Sequence, residues 1–135
     1  MEAKTLRKVR ESFGRCTLKK GFYDELLKNL STGSFDSENA AAMLDHNQQR
    51  QLLKNDIAFL LLAAGEQQSG KIALTRLVTQ KGKSMLPSRH DQLAQWIEAL
   101  LAAVKIFDHR LDSETENSWR EVVESGLKST AGKTS

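Results

Sequence analysis

Apolar residues recur along this chain at the spacing of an α-helix, three or four residues apart. No stretch of any length alternates apolar and polar residues with the period of two that is typical of a half-buried strand. Six apolar stripes can be followed, within residues 6–16, 22–30, 52–64, 74–85, 93–107 and 111–127. The pattern predicts an all-α domain of six or so helices, and by itself it indicates no function.

Residues that begin and end helices occur between these stripes. An acidic or hydroxyl residue placed before an apolar stripe can accept hydrogen bonds from the first free backbone N–H groups. Short runs of Gly, Ser and Asp favour loops instead. The expected caps are Asp45, Ser88 with Asp91, and Ser113 with Glu116, where Asp112 competes; the expected loops are 31–37 and 65–70.

Length and composition predict one domain over residues 1–128, followed by a flexible C-terminal tail, 129–135. No apolar run approaches the roughly 20 residues that span a bilayer, and no export segment is evident near the start. The single cysteine, Cys16, fits a reducing cytoplasm and a small core residue. The net charge is +3, and the basic residues near the start lack interleaved aromatics, so we expect no nucleic-acid binding.

Three segments of the chain resemble the globin family, in particular small bacterial single-domain globins. They are VRESFGRC with FYDELL, then QRQLLKNDIAFLLLAA, and finally HDQLAQWIEALLAAVKIFDHRLDSETENSWREVVESGLK. Their order and spacing cover nearly the whole chain. The resemblance implies a globin-like fold of about six to seven helices.

The resemblance also assigns the positions of a haem pocket. The distal position falls on Gln49, and Leu53, one turn later, matches the apolar residue that usually lines the ligand side. The proximal position, which is a histidine in haem-binding globins, falls on Lys81 by an ungapped count back from Trp96. No histidine lies between Asn47 and Arg89. The chain thus resembles a globin that lacks its usual iron ligand.

Lys81 admits three interpretations. Its stem can be buried with the ammonium in solvent, it can pair with an acidic group of a guest molecule, or, as a neutral amine, it can bind haem iron. If haem is bound, His90 and His46 are the other candidate ligands, whereas His109 is expected at the surface. The three histidines form no zinc signature, so no other metal is predicted.

The sequence therefore predicts a non-enzymatic globin-fold protein without a cofactor, because no catalytic group of residues is evident. We expect a sensor or partner-docking module whose apolar pocket takes an apolar or amphipathic small molecule. The predicted pocket residues are Gln49, Leu53, Ile57, Leu77, Lys81, Leu100 and Val104. The alternative is a haem globin that binds oxygen or nitric oxide through a non-standard iron ligand. A homodimer through the last two helices is also possible, and an outward apolar patch around Trp96 and Trp119 would support it.

Overall fold

The computed structural model of the chain describes residues 2–32, 45–65, 68–79, 84–86 and 90–131. These residues form six α-helices, and none of the described residues lies in a strand. The helices are α1 (Ala3–Thr17), α2 (Phe22–Thr32), α3 (His46–Ala64), α4 (Gln68–Thr79), α5 (His90–Phe107) and α6 (Ser113–Ala131). The predicted all-α class is confirmed. Within the described part of the chain, no helix combines the length and apolar character that crossing a bilayer requires.

The core is built around α3, which packs most closely against α4 and α6. Helix α2 lies on α5, and α1 lies on α6, so each end of the chain is held against the other. Both tryptophans, Trp96 and Trp119, are fully buried, as their helical phase predicts. Phe22 makes edge-to-face contacts with Phe13 and Phe107, an arrangement that aromatic rings favour.

The predicted cap of α3 is confirmed, whereas at α6 the competing residue Asp112 caps the helix in place of the predicted Ser113–Glu116 box. The Asp45 carboxylate accepts the backbone N–H of Gln48, and the Gln48 side chain accepts that of Asp45, completing a capping box at the start of α3. At α6 the cap is Asp112, whose carboxylate accepts the N–H of Thr115 at 2.8 Å. Residue 88, the side chain of Asp91 and most of the loop 31–37 lie outside what the structure describes.

Helix α4 differs from the sequence prediction at both ends. It begins at Gln68 and contains Gly70, so the connection after α3 is shorter than the predicted loop 65–70. It ends at Thr79, whereas the apolar stripe was expected to continue as a helix to Met85. Met85 instead lies in a non-helical segment, because its N–H bonds to the carboxylate of Asp56 rather than to a helical carbonyl. At the other end of the chain, α6 extends to Ala131, inside the predicted tail; residues 132–135 lie outside the described residues.

Glycine allows α3 and α6 to approach each other closely. A Cβ placed at Gly126 on α6 would lie 2.9 Å from the backbone carbonyl oxygen of Leu60 on α3. That is closer than real Cβ atoms come, and the obstructing atom is backbone, which cannot rotate away. The absence of a side chain at Gly126 therefore sets the spacing between these two helices.

Replacing Gly126 with alanine is expected to lower the free energy of unfolding by about 1–3 kcal/mol, because α3 and α6 must separate. Gly14 provides a matched control, since nothing lies within 4 Å of a Cβ built there on α1. Gly14→Ala should raise stability by about 0.5–1 kcal/mol through helix propensity. Urea denaturation followed by circular dichroism measures both. Equal effects of the two variants would contradict close packing at Gly126.

Candidate functional site

The predicted pocket residues that the structure describes are covered by protein. Leu53 and Ile57 on α3 are 0% and 1% exposed, and Leu100 and Val104 on α5 are both 0% exposed. Gln49, one turn before Leu53, is half-buried. The side chain of Leu77 and all of Lys81 lie outside the described residues.

Four of the described side chains predicted to line the pocket have almost no accessible surface. A porphyrin needs a flat space whose walls stand about 3.5–4.0 Å from each of its faces. Side chains lining such a space would have accessible surface in a chain without a guest. Leu53, Ile57, Leu100 and Val104 have essentially none, and neither does Leu74 on α4. These five described side chains therefore have no open space of that size beside them in this conformation.

A buried carboxylate lies on the same helix as Leu53 and Ile57. Asp56, on α3, is 0% exposed. One of its oxygens accepts the hydroxyl of Ser84 at 2.8 Å, and the other accepts the backbone N–H of Met85 at 2.8 Å. The Ser84 oxygen in turn accepts the N–H of Leu86 at 3.0 Å. Asp56 therefore holds the whole 84–86 segment directly against α3.

The same segment is joined to α5. The indole N–H of Trp96 donates to the backbone carbonyl of Met85 at 3.2 Å. Leu86 is 5% exposed and belongs to the hydrophobic core. Consequently Asp56, the 84–86 segment and Trp96 form one continuous tie between α3 and α5, which we call the Asp56 network.

Burial has the largest effect on the pKa of Asp56. Removing the carboxylate from water raises its pKa, and the hydrogen bonds from Met85 and Ser84 oppose that rise only in part, so the pKa is about 7. Near neutral pH the group therefore exchanges a proton with solvent while it holds the 84–86 segment.

A second buried carboxylate, Asp108, joins α1 to the turn after α5. Its side chain accepts the hydroxyl of Ser12 at 2.6 Å, Nε of Arg15 at 2.6 Å and the backbone N–H of Arg110 at 3.0 Å. Trp119 on α6 donates its indole N–H to the Ser12 oxygen at 3.0 Å. This Asp108 network satisfies every buried polar atom named here, and it has the character of a structural tie.

The pKa values of Asp108 and Asp56 are shifted in opposite directions. Burial alone would raise the pKa of Asp108, but the hydrogen bonds from Arg15, Ser12 and Arg110 together lower it below its usual value. The pKa of Arg15 is raised by the same hydrogen bond to Asp108. The difference between the two carboxylates is the guanidinium, which compensates the buried charge of Asp108.

The other candidate groups are dispersed. His46 and His109 are exposed, and the side chain of His90, the first residue of α5, lies outside the described residues. Across residues 2–32, 45–65, 68–79, 84–86 and 90–131, no three metal-binding side chains come together. Cys16 is buried, and burial raises the pKa of its thiol to about 12, so it is a core residue, as predicted, and a poor nucleophile.

Sequence reasoning missed both buried aspartates, although one left a signal. Asp56 stands between Leu53 and Ile57 on the most apolar face of α3, where helical phase points it inward. An acidic residue in that position indicates a buried carboxylate that needs partners. Asp108 leaves no such signal, because its partners Ser12 and Arg15 are far away in sequence and belong to an otherwise ordinary basic helix.

Asp56 makes the fold less stable as pH rises. Its folded pKa is raised above the unfolded value, so its contribution is fully present below the unfolded pKa and is lost as pH rises toward the folded pKa of about 7. Between about pH 4 and 7 the loss approaches 1.4 kcal/mol per pH unit. Asp56→Asn, which is neutral and nearly isosteric, should remove this slope and raise stability at pH 8 by on the order of 2 kcal/mol. Urea unfolding at several pH values measures it, and an unchanged slope would refute the assignment.

Asp108→Asn is expected to lower the stability of the fold at neutral pH, whereas Asp56→Asn should raise it. The folded pKa of Asp108 is lowered, so its contribution is present above the unfolded pKa and is lost as pH falls through the folded one. The substitution leaves Arg15 without its carboxylate and should cost about 2 kcal/mol at neutral pH. The deficit relative to the native chain should shrink on acidification. The same titration series, run on both variants, separates the two networks.

Comparison with known proteins adds one match at the level of structure. No family model matches the sequence, and no curated protein matches it. A crystal structure of a Pseudomonas aeruginosa PAO1 protein, described as structurally highly homologous to a human haemoglobin, superimposes with a TM-score of 0.76. The two sequences are 27% identical, and the match covers 95% of this chain and 96% of the other. The predicted all-α, globin-like fold is confirmed, and this likeness supports the assignment of the chain to a globin-like family.

Proposed function

We propose that this chain is a non-enzymatic globin-fold protein that works without haem and docks a partner through its helical surface. The observation that supports the proposal is the burial of most of the described pocket residues. Four of the five described side chains predicted to line the pocket are at most 1% exposed, Gln49 is half-buried, and the Asp56 network ties α3 directly to the 84–86 segment. A globin-like domain whose interior is filled by its own side chains has its surface left for function.

Binding a guest inside the domain would require two costly changes. Buried side chains such as Leu53 and Leu100 would have to move aside, although protein interiors pack densely and resist added volume. A guest that parted α3 from the 84–86 segment would also break the hydrogen bonds of Asp56 with Ser84 and Met85. Surface docking requires neither change, so it is favoured over an apolar or amphipathic small-molecule guest.

The most exposed large apolar side chain of the described surface stands in a basic setting. Leu18, in the turn after α1, is 86% exposed, and the exposed Lys19 and Lys20 follow it. An apolar side chain beside two ammonium groups suits a partner segment that carries both apolar and acidic residues. We therefore place the docking surface at this turn.

A homodimer through α5 and α6 has less support. Trp96 and Trp119 face the core and contribute no outward apolar patch. Ion pairs join the two helices at their surface, with Lys105 bonded to Glu116 and Arg120 bonded to Glu98. Sedimentation velocity over a range of protein concentrations tests self-association directly.

The alternative function is a haem globin that binds oxygen or nitric oxide. It is favoured by the likeness to a protein described by its homology to haemoglobin. It would need an iron ligand from Lys81, His90 or His46, and α3 would have to separate from the elements that now cover its inner face. The two functions differ in a single measurable property, the retention of haem.

Incubation with hemin followed by gel filtration distinguishes these functions, because a closed interior cannot hold the porphyrin. We expect hemin to be lost on the column and the eluted protein to show no sharp Soret band. A haem-binding globin carried through the same column is the positive control. A retained Soret band that shifts on reduction and on addition of carbon monoxide would overturn the proposal. Substituting Lys81, His90 and His46 in turn would then identify the ligand.

A further inference from the structure

We propose that the Asp56 network is a proton-controlled latch. With a proton on Asp56, the 84–86 segment is fastened to α3; loss of that proton loosens the segment and opens the interior along the inner face of α3. This device is independent of whether the chain binds haem or docks a partner, because it concerns how the fold opens.

The geometry identifies the 84–86 segment as the part that moves. Asp56 lies within α3, a helix of 19 residues that packs closely against both α4 and α6. The 84–86 segment is non-helical, and three described hydrogen bonds hold it to its surroundings. Two of these go to Asp56 and one goes to Trp96 on α5. Breaking the Asp56 pair would leave the segment attached to α5 and detached from α3.

The proton matters because no charged side chain among the described residues pairs with Asp56. As a neutral acid, Asp56 can still accept the N–H of Met85 with one oxygen and donate its own O–H to Ser84, so both contacts survive. As an anion it keeps both acceptors but loses the hydration that a carboxylate has in water. Only separation of α3 from the 84–86 segment restores that hydration, since Asp56 is 0% exposed in the closed form.

Charged side chains on the surrounding helices do not replace this missing partner among the described residues. Burial and the hydrogen bonds from Met85 and Ser84 account for the raised pKa of Asp56. Several of these charged side chains are paired with each other: Arg50 with Asp24, Glu98 with Arg120, and Lys105 with Glu116. The others are exposed or half-buried and are not bonded to Asp56: Lys54 on α3, Lys71 and Arg76 on α4, and Glu124 and Lys128 on α6. Residues 80–83 and 87–89 and the side chains of His90 and Asp91 lie outside the described residues.

The direction of the effect follows from linkage. The open form has an ordinary carboxylate pKa near 4, whereas the closed form has a pKa of about 7. Between these values the closed form binds one proton more than the open form, so opening becomes about tenfold more favourable for each pH unit. Above about pH 7 both forms are ionised and the effect levels off. The latch is therefore tight in mild acid and loosened at neutral and alkaline pH.

Hydrogen exchange of single amides, measured by NMR, tests the latch because the Met85 N–H is itself one of its bonds. We expect the protection factor of the Met85 amide, corrected for the intrinsic pH dependence of exchange, to fall roughly a hundredfold from pH 5 to pH 8. The Arg110 amide is the matched control, since it also donates to a buried aspartate, Asp108. Where it exchanges by local opening, its protection should not follow this profile, whereas exchange by global unfolding follows the loss of the Asp56 proton. The Val122 amide, in the buried core of α6, reports global unfolding.

Two variants separate the latch from a general loss of stability. Asp56→Asn keeps a neutral, bonded side chain and should make Met85 protection independent of pH. Ser84→Ala removes one of the hydrogen bonds that lower the pKa of Asp56, so the pH at which the loss of protection levels off should move upward. The proposal is overturned if Met85 exchange tracks Val122 exchange at every pH. It is also overturned if Met85 protection is flat from pH 5 to pH 8, or if Asp56→Asn retains the native profile.

Discussion

A single buried carboxylate, Asp56, joins α3 to the non-helical 84–86 segment. Two hydrogen bonds bring the 84–86 segment onto α3, and Trp96 continues the connection to α5. The side chains expected to line a pocket are covered in the same structure. Most proteins bury a carboxylate only with a cation beside it, as Asp108 has Arg15. Asp56 lacks one among the described residues, so this connection depends on a proton.

The two aspartate networks connect different parts of the fold. The Asp108 network connects α1, the turn after α5 and α6, where a guanidinium compensates the charge and the bonds persist over a wide pH range. The Asp56 network connects the middle of the chain and is sensitive to pH near neutrality. The contacts around Asp108 are therefore expected to depend little on pH, whereas the attachment of the 84–86 segment to α3 is expected to depend on it.

Much of the fold could be predicted from sequence, because apolar spacing and helix caps are local signals. The stripe through Leu53 and Leu60 predicted α3, and Asp45 predicted its beginning. The extent of α4 could not be predicted from spacing, since Met85 continues the apolar stripe while its N–H bonds to the distant Asp56. The resemblance to globins predicted the architecture correctly. It also suggested a pocket, and whether that space is filled depends on tertiary packing that no local pattern encodes.

The placement of Cys16 has a practical consequence. The chain contains one cysteine, and it is 0% exposed in the core with the pKa of its thiol near 12. Thiol reagents react with the thiolate, so the native protein should be almost inert to them. Modification then requires that α1 leave the core. The rate at which a thiol reagent labels Cys16 therefore reports how fast the N-terminal helix unfolds, without an engineered probe.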